Sequence, residues 1–194
     1  MRYMWIDTET TGIDTSDSSA FQIGLILVDN GKVICERCFY LNPLSENILY
    51  HESAGAIHGY SEEKIRSFNP EVEQVKKIVS FFQEAKELFE KDGSKSEKMV
   101  IAGYNVNFDK NHVTAILERN GFKMSDFFED KIYDVFEQVK LAGKMRLLPY
   151  LENRKLGTIC KYFNIEIGTA HDALADIKAT REVAKSLYRI GVKM

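Results

Sequence analysis

The chain has 194 residues, 44% of them hydrophobic and 28% charged, the composition of an ordinary globular protein with one substantial core. Its net charge of −3 gives no global attraction to nucleic acid or anionic membrane. That argues against a passive polyanion binder, but not against an enzyme that carries its positive charge as metal ions. No apolar run approaches a membrane span, the opening lacks the pattern of a secretory signal, and three cysteines cannot build a disulfide framework, so a cytoplasmic protein with no membrane partner is expected.

The first element is the apolar run Tyr3-Met4-Trp5-Ile6, which reads as a strand buried on both faces and ends abruptly in Asp7-Thr8-Glu9. Asp7 and Glu9 are two apart, so on a continuing strand they share a face. Two adjacent carboxylates near a core repel one another unless something positive lies between them. Residues 21–28 and 33–41 read as two further strands around Asn30-Gly31, a strong two-residue hairpin signal. Cys35 and Cys38 fall on the second of these; three apart on a strand they face opposite sides, which makes them a poor metal or redox pair.

A long helix is expected from about residue 70, with Asn69 as N-cap, Pro70 in the first turn, Glu71 and Glu73 complementing the dipole, and Val72, Val75, Val79, Phe82 and Phe89 as its apolar stripe. A polar loop near residues 91–98 then leads to a buried strand, MVIAGY, at 99–104. A helix over 107–121 closes on Gly121, a short strand at 131–135 follows, and after a less regular helical region a last helix runs from about Asp172 to Gly191. Leu174, Ile177, Ala184 and Leu187 carry its inner face. The pattern is one α/β unit over residues 1–194, a mixed sheet with helices packed on it.

Two more acids lie at strand and helix ends: Asp109 in the first turn of the helix after MVIAGY, and Asp176 near the start of the last helix, five residues after His171. Such junctions are where functional groups gather on α/β folds. Hard oxygen donors without a cysteine–histidine set favour Mg²⁺ or Mn²⁺ over zinc. Two such ions about 3.5–4 Å apart activate a water and stabilise the leaving oxygen of a phosphodiester. Taken alone, Asp109, Asp172 and Asp176 also suit helix N-termini, and His171 an ordinary loop.

The segments DTETTG (7–12), NVNFD (105–109) and HDALAD (171–176), in that order, resemble the three motifs of the DEDDh (DnaQ-like) 3′–5′ exonucleases, a family that includes polymerase proofreading subunits, RNase T and oligoribonuclease. The segments 42–65 and 154–165 are similar to parts of the same family. The resemblance implies an RNase H-like fold, with a central mixed five-stranded sheet, three antiparallel strands then two parallel, and helices on both faces. It also implies a single exonuclease domain in which Asp7, Glu9 and Asp176 bind a first Mg²⁺ or Mn²⁺. Asp7 also reaches a second ion with Asp109 near it, and His171 is the general base. A reference imidazole pKa near 6.5 suits that role. Asp172 stands where the family's other branch has tyrosine, which favours the histidine branch.

The implied substrate contacts are Thr10, Thr11 and Gly12 after the first motif, with Asn105 before the second. Two residues depart from the family: Tyr104 replaces a common histidine, and His112, three after Asp109, stands where an apolar residue is usual and is a rival base. His58 matches a family position close to structure or substrate, and His51 has no assignment. Between 140 and 161, Lys140, Lys144, Arg146, Arg154, Lys155 and Lys161 face one acid, Glu152, a stretch suited to the phosphates of a single strand or to a solvated helix face. The expected activity is release of nucleoside 5′-monophosphates from single-stranded 3′ ends, DNA more than RNA. The alternatives are an oligoribonuclease or RNase T-like enzyme, a silent nucleic-acid-binding or polymerase-tethering module, and a phosphatase of small nucleotides. Association with a DNA polymerase and homodimerisation are both open.

Overall fold

A computed structural model describes residues 2–90, 98–169 and 171–192. A single sheet of five strands runs β3-β2-β1-β4-β5. Strand β1 (Arg2–Thr10) pairs antiparallel with β2 (Ala20–Asp29), and β2 antiparallel with β3 (Lys32–Tyr40). On its other side β1 pairs parallel with β4 (Met99–Gly103), and β4 with β5 (Phe128–Asp134). This is the mixed sheet expected from the sequence. Asn30 and Gly31 make the β2–β3 turn with φ of 46° and 81°, the left-handed pair that a two-residue hairpin needs.

Strand alternation splits the core in two. Met4, Ile6, Ile23, Leu25 and Leu27 face one layer, built from α3 (Glu71–Glu90) and α4 (Asn107–Arg119). Trp5, Ile26, Val28 and Val100 face the other, built from α5 (Val135–Lys144), α6 (Leu156–Phe163) and α7 (Ala173–Arg189). Helices therefore cover both faces of the central strands. Cys35 packs on the first layer while Cys38 receives the Gln22 side-chain amide, so the two thiols do point apart.

Several boundaries differ from the sequence reading. Helix α3 begins at Glu71; the Pro70 carbonyl accepts from the Glu73 and Gln74 amides, while the carbonyl of Asn69, the expected N-cap, accepts from Asn42. Val72 is 52% exposed, because the inner stripe is centred on Val75, Ile78, Phe82 and Ala85 and Val72 falls past its margin. The loop expected over 91–98 lies outside the described residues up to 97, and so does the side chain of Phe89. Two short helices, α1 (Glu52–His58) and α2 (Glu62–Arg66), occupy the segment before α3. Strand β5 starts at Phe128, three residues before the expected start at Lys131, because Phe128 pairs with Met99. Helix α4 ends in a Schellman motif: Gly121, at φ 84°, donates to Glu118 and Phe122 donates to Leu117.

Helix α7 reaches the centre of the sheet because of one glycine. Gly24 lies opposite Asp7, and a Cβ added there would meet the Ala173 carbonyl at 2.6 Å and the Leu174 nitrogen at 2.8 Å. The start of α7 therefore rests directly on the β2 backbone. Gly24→Ala forces those elements apart at a cost of about 1–3 kcal/mol. Urea unfolding should show that loss, accompanied by a larger loss of activity than the same destabilisation placed elsewhere in the core.

Candidate active site

The C-terminal end of β1 brings the expected acids together. Asp7 is partly buried and Glu9 is 8% exposed, on the sheet face that receives α7. They lie opposite Gly24 and Gln22, just before a register shift between Glu9 and Thr10. Bulges of this kind re-aim side chains next to functional sites. Asp109, 4% exposed in the first turn of α4, accepts a hydrogen bond of 2.7 Å from the Thr8 hydroxyl. Thr8 points to the α4 layer because it stands between two residues that face α7. Asp176 lies in the first turn of α7.

Electrostatics show how close the four acids are. Desolvation, and then the charges of Asp109, Asp176 and Glu9, hold the Asp7 carboxyl well above the usual carboxylate range. Desolvation followed by the charges of Asp176 and Asp109 pushes Glu9 up to about 8. Burial raises Asp109 to about 7, against the lowering effect of its Thr8 hydrogen bond. Asp176 is raised by burial and partly relieved by His171. Among the described residues, no lysine or arginine offsets the rise at any of the four. The hard oxygen donors of the cluster fit a divalent cation. Among the described residues, one ligand atom each of Glu9, His171 and Asp176 lie within 4.8 Å of one another. Asp7 and Asp109 join this group through charge and burial rather than within that radius.

His171 is exposed at φ 60°, one residue before the cap of α7. Its backbone hydrogen-bonds the Asp176 carboxylate. His112, the rival base, is turned away: its ring is buried, packs at a tilt of 59° against Phe108 with centroids 4.7 Å apart, and places Nε2 3.3 Å from the Ile13 carbonyl. Burial lowers its pKa, and the acid that acts on it is Asp14. His58 is buried against Phe21, its Nδ1 accepts the Tyr60 amide at 3.0 Å, and it is close enough to His171 to feel its charge. His51 pairs with Asp17 at 3.3 Å.

The residues after the first motif form a braced loop. The Thr10 hydroxyl donates to the Gly12 carbonyl at 2.6 Å, and the fully buried Thr11 hydroxyl accepts from the Ser19 amide. Gly12 has no room for a side chain, since a Cβ would sit 2.4 Å from the His51 ring. Asn105 is exposed at φ 56°, its amide held by Asp134 at 2.9 Å.

Two supports were not singled out in the sequence. Gln22, fully buried on β2, donates to Asp172 at 2.7 Å, while Asp172 caps α7 by accepting the Ala175 amide at 3.0 Å. Asp134 accepts from both the Asn105 and the Phe136 amides, which ties the β4 exit to the start of α5. The available signals were a lone glutamine inside the apolar run FQIGLILV and an aspartate just before a helix.

Comparison with known proteins bears on this geometry. A family model described as an exonuclease, RNase_T, matches residues 4–184. The DNA polymerase III PolC-type protein of Caldanaerobacter subterraneus is 24% identical over 195 residues, covering 98% of this chain and 12% of that protein. That of Lacticaseibacillus paracasei is 26% identical, covering 99% of this chain and also 12% of the relative. The chain thus spans about an eighth of the curated relatives it matches. Among solved structures, the zinc-ion-bound E. coli ExoI–ssDNA complex superimposes with a TM-score of 0.77 at 24% identity, over 96% of this chain and 39% of that one. A product-bound exonuclease I gives 0.72 at 23% identity, over 97% and 43%. With three motifs in order and their acids on adjoining strand and helix ends, the chain belongs to the exonuclease family, as a DEDDh (DnaQ-like) member of the RNase H-like superfamily.

Proposed function

We propose that this chain is a metal-dependent 3′–5′ exonuclease that releases nucleoside 5′-monophosphates from single-stranded 3′ ends, DNA in preference to RNA, by a two-metal-ion mechanism. The observation that carries this reading is the set of four mutually repelling carboxylates, Asp7, Glu9, Asp109 and Asp176, gathered beside His171. The DNA preference is supported by the relatives, which are DNA polymerases, and by the fold neighbour solved with single-stranded DNA. Residues 1–194 are read as one catalytic unit that works as a stand-alone enzyme, with a DNA polymerase or a second copy of the chain as the partners left open.

Glu9 and Asp176, together with Asp7, would hold a first Mg²⁺ or Mn²⁺, and Asp7 and Asp109 would hold a second. When bound, the ions acidify the attacking water and stabilise the leaving oxygen. His171 takes the proton of that water. Its oxygen forms a bond to phosphorus as the P–O3′ bond breaks, leaving a 5′-monophosphate and a shortened strand with a free 3′-hydroxyl. Asp176, hydrogen-bonded to the His171 backbone, keeps that residue beside the acids. Thr10, Gly12 and Asn105 line the seat of the terminal nucleotide, and Thr11 braces their loop from behind.

Digestion of 5′-labelled single-stranded DNA should give a ladder shortening from the 3′ end, abolished by EDTA, with RNA cut more slowly. Asp7→Asn should lower kcat by at least about 10²–10³-fold, the scale of losing one charge-stabilising group. The same substitution should raise the melting temperature of the metal-free protein at pH 8, because it removes one member of a repelling cluster. Activity lost without that gain in stability would mean that the site is not built on repulsion.

The raised carboxyl groups also set a pH dependence. Folded Glu9 titrates near 8 and Asp109 near 7, above the unfolded range of about 4, so between those values the folded protein holds protons that the unfolded chain has released. Metal-free stability therefore falls as pH rises from about 4 to about 8 and then levels off. Mg²⁺ should raise the melting temperature far more at pH 8 than at pH 5. Equal shifts at both values would count against these carboxylates as its ligands.

A further inference from the structure

A groove opens beside the acids, at the exits of β4 and β5. Tyr104 follows the last residue of β4, which lies against β1: a Cβ on Gly103 would meet the Ile6 carbonyl at 2.7 Å. Tyr104, Asn105, Phe136, Arg154, Lys155 and Leu156 line an open groove of about 560 Å³. Arg154 also lines a second hollow of about 290 Å³, with Arg146, Leu148, Pro149 and Tyr150. The two hollows therefore adjoin through Arg154.

The lining has a consistent chemistry. The Tyr104 and Phe136 rings meet edge-on with centroids 5.7 Å apart, and Tyr150 is 96% exposed, an unusual state for an aromatic side chain. Arg146, Arg154 and Lys155 form no ion pair among the described residues, and neither hollow is lined by an acid. Of the acids nearby, Asp134 accepts two backbone amides and Glu137 pairs with Lys140, while Glu152 is exposed and lines neither hollow. The walls are fixed in place, since the Tyr104 hydroxyl donates to the Arg154 carbonyl and the Asn153 side chain accepts from the Lys155 amide. Free cations interleaved with aromatic faces, in a chain of net negative charge, match a phosphate backbone carrying stackable bases.

We propose that this groove binds the nucleotides upstream of the scissile bond, so that the protein grips a strand of several nucleotides rather than only its 3′ end. The inference rests on the exonuclease reading and deepens it: the substrate class is a polymer, and short oligonucleotides are poor substrates. Arg146, Arg154 and Lys155 hold successive phosphates, while Tyr104, Phe136 and Tyr150 offer faces to bases. Of the six cations between residues 140 and 161, these three do the binding. Lys140 is paired with Glu137 and lies over the Phe136 ring at 5.2 Å.

The test compares the protein with a variant carrying Arg146→Gln, Tyr150→Ala, Arg154→Gln and Lys155→Gln, all at exposed side chains. Steady-state kinetics on oligothymidylates of two, four, eight and sixteen nucleotides give, for each protein, the ratio of kcat/KM on the longest strand to that on the dinucleotide. In the unsubstituted protein this ratio should exceed about tenfold, with KM falling as the groove fills; in the variant it should collapse toward one. The logarithmic salt dependence for the sixteen-mer should weaken by about two, near 0.7 for each of three phosphate contacts. A variant whose ratio and salt slope match those of the unsubstituted protein overturns the proposal. Were neither protein to cleave any length, the exonuclease reading would fail instead, and anisotropy of fluorescent sixteen-mer in EDTA would judge the groove alone: unchanged affinity in the variant rejects it.

Discussion

Repulsion among buried carboxylates is the constraint on which this structure turns. Burial raises the proton affinity of Asp7, Glu9, Asp109 and Asp176, and the charges of Asp109 and Asp176 raise Asp7 and Glu9 further, because the fold holds these groups closer, and drier, than their charges favour. That arrangement persists only if the surroundings over-determine it. Two apolar layers on the sheet do so: the strand carrying Asp7 and Glu9 is central, and its neighbour β2 is buried along nearly all its length.

The D-T-E spacing of the first motif connects those layers. Alternation along β1 sends Asp7 and Glu9 toward α7 and Thr8 toward α4, where its hydroxyl meets Asp109. One strand end thus reaches acids that arrive from opposite faces of the sheet. On the α7 side the close approach comes from Gly24, and Gln22 two residues earlier fastens the capping Asp172. Asp172 lies four residues before Asp176, so the hydrogen bond that begins α7 also sets the position of an acid in its first turn. Capping and site construction are here the same interaction.

Much of this is legible in the sequence, for identifiable reasons. Strands β1 to β3 show because long apolar runs and Asn30-Gly31 are local signals, and the acids show because charged residues at the ends of apolar runs conflict with burial. Helices α1 and α2 do not: they are short, α1 contains Gly55, and most of their residues are exposed, so no apolar stripe marks them. The early start of β5 is hidden because Phe128 is placed by its partner Met99 rather than by alternation. Val72 misleads because a stripe read from spacing alone does not reveal which edge of the helix meets the sheet. His112 misleads similarly: three residues from Asp109 on a helix, it is nevertheless committed to Phe108 and the Ile13 carbonyl. The supports Gln22 and Asp134 act through partners far away in the chain, and a single sequence carries no record of such contacts.

The same charges that gather a cation oppose a phosphodiester. A strand approaching four carboxylates, on a chain of net charge −3, meets repulsion wherever the acids are ionised and uncompensated. Two features oppose that barrier at different distances. On the proposed reading, a divalent cation among the acids would cancel it at the scissile phosphate, while Arg146, Arg154 and Lys155 would act along the strand upstream. Exposed charges separated by more than about 8 Å are largely screened at physiological salt, so cations placed elsewhere on the surface would not serve. The local basic groove is therefore what reconciles an acidic protein, with an acidic centre, to a polyanionic substrate.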